Sequence, residues 1–203
     1  GLCLRSEAQG ALSQKFKQLR AGDSVQFLGP CGGLEYVANA VKHITLVASG
    51  VGITPCLQIV RAVTSDPDDR TRTRLLYYAD TRADLLFKEE LDRLAGKHAG
   101  KLSIFYSVGE TDDTWQGAEG FIGKEALKAN LPEQQETSQK IILSGGPQMI
   151  LSSLQSLFSL DRRSEDVYIY GPFGAEQIRA VYGRNAKLGS HKVLAPATGV
   201  ELR

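Results

Sequence analysis

Two glycine-rich stretches carry the residue types best suited to hold a charged ligand. They are Ser49-Gly50-Val51-Gly52-Ile53-Thr54-Pro55 and Ser144-Gly145-Gly146-Pro147. Glycines permit a tight turn and let backbone N–H groups approach a ligand closely. Thr54 is placed to cap a helix, and Pro55 suits a helix's first turn. A glycine turn that opens a helix aims free N–H groups and the positive end of the helix dipole at an anion, usually a pyrophosphate. A Gly-x-Gly pair alone is a weak sign. The third glycine of the dinucleotide fingerprint is absent here, with Pro55 in its place. The plainer reading is an ordinary strand-to-helix turn.

A third stretch, Gly10-Ala11-Leu12-Ser13, also opens a helix, with Ser13 read as its N-cap. Such a start can hold a second phosphate group, and a capped surface helix is the alternative. Little else competes for chemistry. His43, His98 and His191 are far apart and show no ligand spacing, so no metal site is expected. Cys3, Cys31 and Cys56 are odd in number and lack Cys-x-x-Cys spacing, which suits a reducing compartment.

These turns need elements to position them. Residues 44–48 form a short apolar run, the mark of a strand buried on both faces. From there strand and helix alternate. Strands are expected over 74–79, 102–108, 141–143 and 167–170, and helices over 54–64, 84–97, 124–130 and 147–158. Residues 109–120 read as polar and irregular. This rhythm implies a five-stranded parallel sheet with helices on both faces, an α/β Rossmann-like domain over 41–170. Ligands of such sheets sit beyond the carboxyl ends of the strands, where both glycine turns fall. Residues 1–40 read as a β-rich fragment with one helix. They include the end of a strand over 1–6 and a strand over 24–28 that Gly29-Pro30-Cys31-Gly32-Gly33 breaks. Residues 171–203 are an extension with a helix over 175–182 and a loose end.

Composition narrows the classes. Of 203 residues, 42% are hydrophobic and 23% charged, as in a globular domain. The net charge of +1 argues for neither nucleic acid nor a membrane surface as partner. There is no bilayer-length apolar run and no signal-like start, so a cytoplasmic protein is expected.

The motifs occur in a recognisable order. Gly10-Ala11-Leu12-Ser13, Gly29-Pro30-Cys31-Gly32, Gly50-Val51-Gly52-Ile53-Thr54-Pro55 and Gly145-Gly146-Pro147-Gln148-Met149 resemble the ferredoxin–NADP reductase superfamily. Residues 13–19, Asp66-Pro67-Asp68-Asp69, residues 84–91, and Trp115 followed by Gly120-Phe121 resemble its NADH–cytochrome b5 reductase branch. That resemblance implies part of an antiparallel FAD-binding barrel ahead of the nucleotide domain. It implies FAD and NADH as cofactors, hydride transfer from NADH to FAD, and electrons passed on to a haem protein such as a cytochrome b5 domain. Gly10, Ala11, Leu12 and Ser13 would hold the FAD pyrophosphate. Gly50, Gly52, Pro55, Gly145, Gly146, Pro147 and Met149 would frame the dinucleotide. Thr54 and Ser144 would stand at the reacting end. Asp84 resembles the carboxylate that favours NADH by repelling a 2′-phosphate. Asp80 is the alternative for the ribose hydroxyls, and Arg82 is a cation able to pair with a 2′-phosphate.

Two departures stand out. Ser144 occupies the place of a cysteine, and Gly146 that of the first proline in Gly-Pro-Pro. The family's Arg-x-Tyr-Ser/Thr flavin clamp lies upstream of the Gly-x-x-Ser helix, so the sequence is expected to be a truncated piece. Any membrane tether would then run through a segment absent from this chain. Lys15, Lys17 and Arg20 make the first helix basic, either to dock an acidic partner or simply as a solvated face. The alternatives to a cytochrome b5 reductase are the flavin module of a nitrate reductase-like fusion and a nucleotide-binding module without redox work.

Overall fold

The computed structural model describes residues 10–26, 34–133, 136, 138–171 and 174–189. A helix α1 (Ala11–Lys17) comes first, and none of its residues is buried. Then come β1 (His43–Ser49), α2 (Ile53–Ser65), β2 (Arg72–Ala79), α3 (Lys88–Lys97) and β3 (Leu102–Val108). The rest are β4 (Ala118–Glu119), α4 (Lys124–Asn130), β5 (Gln139–Ser144), α5 (Pro147–Ser159), β6 (Val167–Ile169) and α6 (Gly174–Tyr182). The strands form one sheet in the order β4-β3-β2-β1-β5-β6, and every pair is parallel.

The sheet is a sandwich filling because its strands are apolar on both faces. Leu46, Ala48, Leu75 and Tyr77 pack to one side with Ile53, Val60 and Leu91 of α2 and α3. Val47, Leu76, Ile141 and Leu143 pack to the other with Leu127, Leu154, Leu157 and Ile178 of α4, α5 and α6. Burying each of the valines, leucines and isoleucines among them contributes about 1.5–3 kcal/mol. The chain leaves β1 for β2 on one side and reaches β5 on the other, so the order reverses between β1 and β5. That reversal opens a crevice beyond their carboxyl ends.

Several expectations change in detail. The sheet gains a sixth strand, the two-residue β4, inside the stretch read as irregular. Pairing of Ser107 with Ala118 and Val108 with Glu119 creates it, not local propensity. The expected helix over 84–97 starts only at Lys88, after a 3-10 turn (Arg82–Asp84) and a left-handed Phe87 at φ 59°. Residues 24–26 form no strand, and 27–33, with the Gly29-Pro30-Cys31-Gly32 motif, lie outside the described residues. So do 1–9 and 190–203. Residues 183–189 are held rather than loose. Ala186 and Leu188 pack on the α5 side, and the Ser164 hydroxyl donates to the Lys187 carbonyl at 2.8 Å. Phe158 and Tyr182 meet edge to face at 5.3 Å, joining α5 to α6.

Residues 34–42 pack with the sheet. Leu34 is 1% exposed, and the Tyr36 hydroxyl donates to the carboxylate of Asp69, itself fully buried. Asp69 also accepts the Thr71 N–H at 2.9 Å. Burial pushes the Asp69 carboxyl up, but the hydrogen bonds from Tyr36 and Thr71 prevail and hold it below the usual range. A depressed carboxylate contributes stability that is full above the unfolded value of 3.8. That contribution is lost as pH falls through the lower folded value. Asp69→Ala strands these donors in the interior. It should cost about 2–3 kcal/mol at neutral pH by urea unfolding. The deficit should shrink as pH falls below 3.8, where the unfolded wild-type carboxylate takes up a proton, and most of it should be gone below the lower folded value.

Candidate functional site

The first glycine turn begins where β1 ends. Gly50 has φ +51°, a left-handed value that suits glycine, and a side chain there would meet nothing within 4 Å. The space over Gly50 is therefore open to a ligand. Gly52 is the reverse case. A Cβ there would overlap the Ser144 carbonyl and stand 2.7 Å from the Gly145 Cα. Glycine is required because the turn after β1 lies directly on the turn after β5. Gly145, at φ +155°, is pressed between the Ser49 hydroxyl and the Met149 methyl.

Each turn feeds a 13-residue helix. The N-caps are Gly52 for α2 and Gly146 for α5. Neither end has a side-chain cap or an acidic residue in its first turn. Two helix starts without side-chain caps thus border one crevice, where the positive end of each helix dipole favours negative charge. Thr54 is not the cap that the sequence suggests. Its position is inside the first turn, and its hydroxyl donates back to the Val51 carbonyl at 3.0 Å. The 3-10 turn over Gly50–Gly52 moves the helix start ahead of it.

The crevice has a volume of about 770 Å³, within the range of small-molecule sites. It brings together Gly50, Gly52, Thr54, Pro55, Asp80, Asp84, Ser144, Gly145, Gly146, Pro147 and Met149. Gly10, Ala11, Leu12 and Ser13 do not border it. Ser13 is not an N-cap either. The cap of α1 is Gly10, and the Ser13 hydroxyl donates to its carbonyl at 2.9 Å.

The two acidic residues differ in freedom. One Asp84 carboxylate oxygen accepts the Thr81 hydroxyl at 2.7 Å and the Thr81 N–H at 3.2 Å, which fixes it at the rim. Asp80 is exposed at the end of β2, with the Tyr78 hydroxyl 3.5 Å away. Arg82 is drawn off to another groove. Its guanidinium donates to the Thr114 hydroxyl at 2.6 Å, and it lines that groove with Trp115.

Sequence reasoning missed three features. The Tyr77 hydroxyl, reached from a fully buried ring, lies 3.3 Å from the Gly50 carbonyl and accepts the Leu86 N–H at 3.0 Å. It ties the glycine turn to the Asp84 turn. Tyr78 and Phe121 stack at 4.5 Å and 15°, and Phe121 is 56% exposed, a flat apolar shelf on the crevice wall. Tyr170 also lines the crevice, its hydroxyl pushed up to about 12 by burial and then by neighbouring Tyr168 and Cys56. Burial likewise pushes the Cys56 thiol up to about 12, so it is no thiolate nucleophile. Among the described residues, no cluster of histidine, cysteine and carboxylates is able to hold a metal ion. None of their helices is long and apolar enough to cross a membrane.

Comparison with known proteins matches the sequence model of the family "Oxidoreductase NAD-binding domain" to residues 46–155, more than half the chain. The chain belongs to that family. NADH-cytochrome b5 reductase 1 of Mycosarcoma maydis is 38% identical to it over 149 residues, 73% of this chain and 46% of the relative. Plasma membrane-associated coenzyme Q6 reductase of Saccharomyces cerevisiae is 39% identical over 141 residues, 70% of this chain and 45% of the relative. Among solved structures, the cytochrome b5 reductase domain of Ulva prolifera nitrate reductase superposes with a TM-score of 0.74 at 30% identity, covering 79% of this chain and 66% of that one. The family placement agrees with the resemblance read from the motifs, and the sheet is that of a Rossmann-like domain. The chain spans about half the length of the named relatives it matches.

Proposed function

We propose that this chain is the nucleotide-binding part of a flavin-dependent reductase that takes a hydride from NADH onto FAD and delivers electrons to a haem protein of the cytochrome b5 kind. The observation that carries this reading is the meeting of two glycine turns and two uncapped helix starts over one crevice, with Asp80 and Asp84 at its rim. The open face of Gly50 and the start of α2 suit a pyrophosphate. The shelf of Tyr78 and Phe121 suits the adenine ring. Asp84 and Asp80 would accept the ribose hydroxyls. Asp80 and Asp84 line the crevice while Arg82 borders the neighbouring groove, and that distribution of charge favours NADH over NADPH.

Thr54, Ser144 and Tyr170 border the same crevice, and Thr54 and Ser144 would orient the nicotinamide. When bound, the flavin supplies hydride acceptance and one-electron release. This chain's share is to bind the dinucleotide and fix its approach, since hydride transfer is sensitive to small misplacements. Residues 1–40 would be the end of the FAD-binding barrel, with Gly10 to Ser13 at the flavin pyrophosphate. The start of α1 fits that role only in having no side-chain cap.

Calorimetry should find NADH bound more tightly than NADPH. Phe121→Ala should weaken NADH binding about fivefold without loss of fold, as loss of an aromatic stack does. In a protein that joins this chain to a complete FAD-binding domain and is reconstituted with FAD, NADH should bleach the flavin bands and support ferricyanide reduction. Binding of NADH without any bleaching would replace this reading with that of a non-redox module.

A further inference from the structure

We infer that Ser49 is a positioning residue that locks the second glycine turn to the first. This rests on the dinucleotide reading of the crevice. The Ser49 hydroxyl oxygen accepts the Gly146 N–H at 3.1 Å, across 97 residues of sequence. The same oxygen packs against Gly145, where a Cβ would collide with it. Gly146 is the N-cap of α5, so this one hydroxyl sets both the turn after β5 and the start of the second helix.

The backbone of Gly146 sharpens the point. Its φ of −66° and ψ of 152° are values a proline adopts, and a Cβ there would meet nothing within 4 Å. Neither room nor an unusual dihedral calls for glycine at this position; what the contact with Ser49 requires is a backbone N–H, which every residue but proline supplies. A proline would have no N–H to give. Its ring carbon on nitrogen would also occupy the line from nitrogen to the Ser49 oxygen. A stiff proline at 146 and a hydroxyl at 49 are thus alternative ways to order the same turn, and they exclude each other. Ser144 precedes the turn and pairs with Ala48 in the ladder, so order at Gly146 is order at the reacting end.

The test is a double-mutant cycle on the full 203-residue chain, with NADH affinity read by calorimetry. Ser49→Ala should weaken NADH about fivefold, the worth of one net hydrogen bond. Gly146→Pro should weaken it at least as much, because the ring crowds the hydroxyl. Ser49→Ala with Gly146→Pro together should return to within about twofold of wild type, a rescue that general destabilisation would not give. Additive losses in the double variant, or wild-type affinity in Ser49→Ala, would overturn the inference. A ligand-free readout separates it from the functional reading. Ser49→Ala should speed exchange of the Gly146 amide proton about fivefold while amides in β1 and β5 hold. Should wild type bind no NADH, the functional reading fails. The Gly146 amide then decides the lock alone, and unchanged exchange there would overturn it.

Discussion

Gly52→Ala should destroy the site and cost the fold about 3 kcal/mol, the upper range for overpacking against atoms that cannot yield. The added methyl would overlap the Ser144 carbonyl and press on the Gly145 Cα, both backbone. No side chain can swing aside, so β1 and β5 must part at their carboxyl ends. The urea midpoint should fall, and calorimetry should detect no NADH binding even where the variant is fully folded. Gly50→Ala is the informative control. Space there is open, so the cost is the left-handed backbone alone, about 1 kcal/mol. A Gly52→Ala protein with wild-type stability and affinity would show that the two turns do not depend on close contact.

Asp84→Arg should shift the NADPH-to-NADH preference by about a hundredfold. A charge reversal beside a 2′-phosphate is worth a few kcal/mol at the effective dielectric of a protein surface. The carboxylate is fixed by Thr81, so the substitution also removes a cap and should lower stability by about 1 kcal/mol. Binding constants for the two cofactors, taken on the same preparation, cancel that loss. An unchanged ratio would move the discriminating role to Asp80, the more exposed carboxylate at the end of β2.

The fold was legible where signals are local. The apolar run of β1, the glycines after it and Pro147 after Gly146 each announce their own structure, and they lie where the pattern puts them. The crevice followed, because strand order and turn position are coupled in parallel sheets. Long-range pairing hid the rest. The Tyr77 ring reads as one more buried strand residue, and only the packed structure gives its hydroxyl a Gly50 carbonyl to meet. Ser49 reads as the first residue of a glycine turn until Gly146 stands opposite. Thr54 looked like a cap because its residue type suits one. The tighter turn over Gly50–Gly52 instead directs its hydroxyl to Val51. β4 has only two residues and exists because β3 offers them partners.

The reversal of strand order between β1 and β5 also sets a timetable. The hydrogen bond from Gly146 to Ser49 closes across 97 residues. At about 5–20 residues per second, a ribosome needs about 5–20 s to travel that far. Through that interval β1 can pair with β2 but has one open flank, and the crevice has only one wall. The cofactor can therefore assist only the last stage of maturation, after β5 has slotted in. Nascent chains halted before residue 139 should carry an unpaired apolar strand that invites chaperone capture, and chains released beyond α5 should not.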